Sequence, residues 1–161
     1  MTRNPRESLP AQLLDFLISA SEGNPFVHAC LVGDGHLLDP LWTVSRQPLA
    51  LYEAYGWAYK VDATPEQRKA AVAWAEARVG QKYGLLELLA EGARLDLHIM
   101  PRAWYTWRPK DVVCSAFCTG AYMDAGPRIT YDPLPTPASV GFSPLLIGPR
   151  PWEPPSGGSS A

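Results

Sequence analysis

Apolar positions along the chain change their period several times, and each change marks an expected element. Residues 13–19 form a short apolar run interrupted by Asp15, which fits a strand and a short helix alike. The breakers Ser21-Glu-Gly-Asn-Pro25 predict a loop after it. Residues 26–32 are apolar, short and bounded by turn residues, so they predict a strand. Gly33-Asp34-Gly35 predicts a hairpin turn, since glycine takes positive φ at little cost. Residues 36–39 then return as the partner strand, with Pro40 ending its pairing. A two-residue period sets Phe26, His28, Cys30 and Val32 on one face of the first strand.

Helical spacing takes over further along. Residues 48–55 hold a short helix in this reading, and residues 57–61 another strand. The clearest helix starts at Thr64, which forms a capping box with Gln67 and is followed by Pro65 at the first helical position. Val72, Ala75 and Val79 recur at helical spacing, and Gly80 is a natural stop. Residues 85–93 predict a second helix. Residues 114–124 predict a third, with Phe117, Ala121 and Tyr122 available for packing and Gly126-Pro127 closing it. Prolines are dense from Pro127 on, and residues 149–161 read as a flexible tail. The expected fold class is therefore α+β: one domain over residues 1–148, with helices packed on an antiparallel sheet, then the tail.

Composition narrows the function classes. At 47% apolar and 19% charged, the 161 residues have ordinary globular character. The net charge is −2, from 14 basic and 16 acidic residues, and no basic stripe stands out; nucleic acid is not an expected partner. No apolar run approaches the ~20 residues of a membrane span. Residues 1–10 are polar and carry two prolines, so no signal peptide is expected. Localisation is expected to be cytoplasmic at synthesis, and a virion component or effector could reach the cell envelope by another route.

Cys30, Cys114 and Cys118 are too few for a disulfide framework, so at least one thiol is either buried and inert or chemically used. Cys114 falls at an expected helix start, where unpaired N–H groups and the helix dipole favour an anion. The same N–H groups could hold an oxyanion. His28 lies on the expected strand, and the hairpin returns Asp39 beside it, where a carboxylate fixes the tautomer of an imidazole. Thiolate, base and orienting group are the three requirements of thiol catalysis.

On these residues the chain resembles the NlpC-type papain-like cysteine peptidases. Val113-Cys-Ser-Ala-Phe117 is similar to their nucleophile motif. The stretch from His28 to Asp39 is similar to their histidine hairpin, with Asp39 in the third place. Gly80-Gln-Lys-Tyr-Gly84 resembles the segment that precedes the nucleophile, and residues 136–145 resemble the ending of the circularly permuted, YiiX-like branch, in which histidine precedes cysteine. The sequence departs from relatives where Val113 and Ala116 flank the Cys-Ser pair and Gly84 follows the tyrosine. The resemblance implies a papain-like fold and a cysteine peptidase or amidase that cleaves an amide or related acyl bond without a cofactor. Cell-wall members act on peptidoglycan peptides, so a peptide, peptidoglycan or acyl substrate is implied. It assigns Cys114, His28 and Asp39 to catalysis, and Tyr83 and Ser115 to an oxyanion or substrate-binding role.

Rival readings accompany these. The fold could serve as a silent binding or structural module of a virion or secretion system, or as an acyltransferase like the lecithin:retinol acyltransferases. His28, Cys30, Cys114 and Cys118 could together bind zinc, but H-x-C and C-x3-C match no common zinc spacing, and no metal is expected. Cys30 and Cys118 are otherwise small buried hydrophobes behind the active pair. Trp104, Tyr105 and Trp107 are candidates for a cleft, a core or a lid. His36 reads as solvated beside the turn, and His98 has no assigned role.

Overall fold

The hairpin forms where turn chemistry and apolar pattern agree. In the computed structural model, which describes residues 26–52, 56–82, 84, 113–132 and 135–153, β1 (Leu31–Val32) and β2 (Leu37–Pro40) pair antiparallel with Leu31 opposite Leu38. The turn closes through Gly33 N–H to the His36 carbonyl at 2.8 Å, and Gly35 takes φ +78°. The paired part of the first strand is shorter than the expected 26–32. The observed register would set residue 29 against Pro40, which has no N–H to give the ladder, so residues 26–30 approach without regular pairing. On its other edge Pro40 still pairs, opposite Val44 of β3 (Val44–Gln47). The sheet order is β1-β2-β3, and all four residues of its central strand are buried.

β3 is followed by a 3-10 turn at Leu49–Tyr52 and by β4 (Trp57–Val61). Helix α1 (Pro65–Glu76) begins as expected. Thr64 accepts from the Gln67 N–H at 3.2 Å, and the Gln67 side chain accepts from the Thr64 N–H at 2.9 Å. It ends before Gly80. Residues 77–80 tighten into turns, with bonds from Arg78 N–H to the Ala75 carbonyl and from Val79 N–H to the Glu76 carbonyl. Val79 therefore lies beyond the helix and is exposed, while Ala75 is buried as expected, together with Ala71, and Val72 packs against the core.

That small-residue face lets α2 (Cys114–Ala125) approach closely, burying Phe117 and Ala121. A Cβ on Gly120 would stand 3.0 Å from the Trp74 ring, so glycine is what this crossing allows. Leu38, Val44, Ala71, Ala75, Phe117 and Ala121 join in one core cluster, and Trp74 and Phe117 meet with ring centroids 5.8 Å apart. Gly126 caps α2 at φ +117°.

The proline-dense end is more ordered than its composition predicts. Thr136 caps a short helix α3 (Pro137–Gly141) through a second capping box, here with Ser139. β5 (Leu146–Pro151) pairs antiparallel with β4, from Leu146 opposite Val61 to Pro151 opposite Trp57. Residues 149–151 thus belong to a sheet rather than to a tail. Trp152 extends the join by giving its indole N–H to the Leu49 carbonyl at 2.8 Å. The prolines are tolerated because, among the described residues, this second sheet has two strands, so each has an outer edge that needs no donor there. The fold is α+β with antiparallel sheets. Among the described residues no helix is long and apolar enough to cross a membrane. The expected helix at 85–93, with Tyr83, His98, Trp104, Tyr105 and Trp107, lies outside the described residues.

Candidate functional site

Three elements converge on one buried point. Cys114 is the first residue of α2, preceded by Val113 as an extended N-cap with no side-chain capping bond. The first N–H groups of the helix therefore have neither an intrahelical partner nor a side-chain cap. His28 arrives on the extended segment before β1, and Asp39 stands in the buried centre of β2. His28 Nε2–H donates to Asp39 Oδ1 at 2.7 Å. This leaves Nδ1 for the Cys114 thiol, which is also a hydrogen-bond partner of the ring. The order along the contact is thiol, imidazole, carboxylate.

Asp39 is 2% exposed and has three donors. Besides His28, the Tyr52 hydroxyl donates to Oδ2 at 2.9 Å, and the Leu41 backbone N–H also bonds it. Burial alone would push the carboxyl up. The His28 hydrogen bond and charge, then Tyr52 and Leu41, reverse this and hold it below the ordinary carboxylate value. Burial likewise opposes the His28 imidazolium, but the hydrogen bonds and charges of Asp39 and Cys114 outweigh it. The histidine is held well above its ordinary value. Asp39 and Cys114 thus both favour the charged form of the His28 ring.

The other two cysteines behave differently. Burial first, then the charges of Asp39 and Cys114, pushes the Cys30 thiol far up. Cys118 is raised in the same way, by burial and then by Cys30, Cys114 and Asp39. Both remain thiols across the physiological range, and none of the three cysteines is in a disulfide. Among the described residues no group of three or more His, Cys, Asp or Glu side chains could hold a metal ion.

Ser115 is fully buried and gives its hydroxyl to the Pro135 carbonyl at 2.5 Å. Its side chain thus ties the start of α2 to the segment entering α3. Only its backbone remains for the oxyanion role expected of it. Tyr83, expected in the same role, lies outside the described residues. His36 is not the solvated residue its position by the turn predicts. Its Nδ1 meets the Asp34 carbonyl at 2.9 Å and its Nε2 the Glu76 carboxylate at 2.5 Å, while Arg46 holds the other oxygen of Glu76.

Sequence reasoning missed Tyr52. The only signal was its place in the expected short helix at 48–55, and nothing in the apolar period links that stretch to Asp39. No protein-family model matches the chain, and no curated protein matches it.

Proposed function

We infer that the chain is a cysteine hydrolase of the permuted papain-like kind, with Cys114 as nucleophile, His28 as acid and base, and Asp39 as the group that orients His28. The observation that carries this reading is one imidazole held on Nε2 by a buried carboxylate at 2.7 Å while the thiol at a helix start hydrogen-bonds the same ring. A raised histidine beside a thiol favours the thiolate, because the charge attraction acts equally on both partners. The thiolate attacks an amide or related acyl carbonyl, and backbone N–H groups at the start of α2 donate to the developing oxyanion. Collapse breaks the bond to the leaving group, which takes its proton from His28, and leaves a thioester on Cys114. His28 then removes a proton from water, hydroxide attacks the thioester, and the acid and the thiolate–imidazolium pair are released. Peptidoglycan peptides are the proposed substrate class.

Alkylation with iodoacetamide tests the pair directly. Near neutral pH, Cys114 should label at least ~10-fold faster than Cys30 or Cys118, as expected of a thiolate beside two thiols whose ionisation is pushed up. Equal labelling of the three would defeat the reading. Product analysis with amine or lipid acceptors then separates hydrolysis from acyl transfer.

A further inference from the structure

We propose that Tyr52 is a positioning residue of this site, fixing the plane of the Asp39 carboxylate so that Oδ1 stays aimed at His28. The proposal rests on the thiol–histidine reading above and adds a fourth member to it.

Asp39 is buried on all sides, so a carboxylate oxygen without a donor there would be costly. His28 takes Oδ1 and Tyr52 takes Oδ2, at 2.7 and 2.9 Å. With both oxygens held, the carboxyl group cannot rotate about its Cβ–Cγ bond without breaking a hydrogen bond. The Tyr52 ring also lies against the imidazole, with centroids 6.1 Å apart at a 49° tilt, and so limits the swing of His28 itself. Tyr52 sits on the 3-10 turn, an element separate from the strand that carries Asp39. That turn is anchored from the far end of the chain by Trp152 at the Leu49 carbonyl.

Several titratable groups surround Asp39. His28 and Cys30 face it from the segment before β1, Cys118 and, through His28, Cys114 from α2, and Tyr52 from the 3-10 turn. From β3 its register partner is the neutral Ser45. Among these, Tyr52 and the Leu41 N–H are the donors to Asp39 other than its histidine. Removing the phenol should let Asp39 take a proton at higher pH and loosen the imidazolium that supports the thiolate.

The test is the pH profile of Cys114 alkylation in the full chain, for wild type, Tyr52→Phe, Asp39→Asn and the double variant. Phenylalanine keeps the ring and its packing, so the fold should survive. The acid limb of the profile should move up by about 0.5–1 pH unit in Tyr52→Phe. That displacement should vanish when Tyr52→Phe is added to Asp39→Asn, since the phenol acts through the carboxylate. A Tyr52→Phe profile that superposes on wild type overturns the proposal, even if the variant melts at lower temperature. So does an equal displacement in both backgrounds. Failure of the underlying reading looks different: wild-type Cys114 would then show no selective labelling at any pH.

Discussion

His28 lies on the segment that enters the first hairpin and His36 at that hairpin's turn, and each holds a carboxylate through Nε2, at 2.7 Å from Asp39 and 2.5 Å from Glu76. By distance alone the outer pair is the tighter. Their surroundings separate them. The inner side chains are 15% and 2% exposed, and every other group at the carboxylate is a donor supplied by the fold. The outer ones are 23% and 24% exposed, and their third member, Arg46, is 57% exposed. Water screens the outer cluster and competes for its bonds, so it staples the turn and β3 to α1 at little net gain. In the inner cluster the same contact, stripped of water, holds a charge beside a thiol. A carboxylate–histidine contact thus says little about role until its burial and its third partner are known.

The sharpest way to break this contrast is to remove each histidine. His28→Ala should slow Cys114 alkylation at neutral pH by at least ~100-fold, whereas His36→Ala should leave it within about twofold. Comparable losses in both would erase the distinction. Stability gives the next largest effect. Asp39→Ala leaves His28 facing a buried gap and should cost about 3–5 kcal/mol, against about 0–1 kcal/mol for Glu76→Ala, both read from urea unfolding.

The pH dependence of stability sharpens the contrast further. The raised His28 value gives stability that is complete below the ordinary 6.5 and is lost as pH rises through the folded value. The lowered Asp39 value gives stability present above the ordinary 3.8 and lost as pH falls through the folded value. Both contributions are complete together between those two ordinary values. Asp39→Asn should therefore flatten the stability curve on both sides of that window, and a curve parallel to wild type would contradict the inner pair's role. The smallest effect is expected for Arg46→Ala. It should cost no more than about 0.5 kcal/mol, and that loss should shrink further in high salt.

Much of this contrast was legible before any coordinates, and the part that was not has physical reasons. Gly33-Asp34-Gly35 fixed a turn, and the apolar residues flanking it fixed which strands meet, so the closeness of His28 and Asp39 followed from local chemistry. Thr64, Gln67 and Pro65 likewise mark the start of α1 by themselves. Tyr52 and Glu76 were not legible, because each reaches its partner across elements whose relative placement depends on the whole core. β5 was missed because its composition, Leu146-Ile-Gly-Pro-Arg-Pro151, argues against a strand, and only pairing with β4 on one edge makes it one. The tie from the Ser115 hydroxyl to the Pro135 carbonyl was not legible either, since the motif marks the residue as near the nucleophile without saying which way its hydroxyl turns.

The β4–β5 join also has a bearing on how the chain is made. During synthesis the hairpin with His28 leaves the ribosome first and Cys114 much later, while the partner that Trp57 needs at Pro151 emerges after both. β4 must wait with an open edge until nearly all of the described chain has been translated, and closing so long a loop slows its pairing. A nascent chain stalled before Leu146 would carry histidine and cysteine alike, with the 3-10 turn beneath Asp39 still unanchored by Trp152. Anchoring of the turn beneath Asp39 is in this way timed to the emergence of residues 146–152.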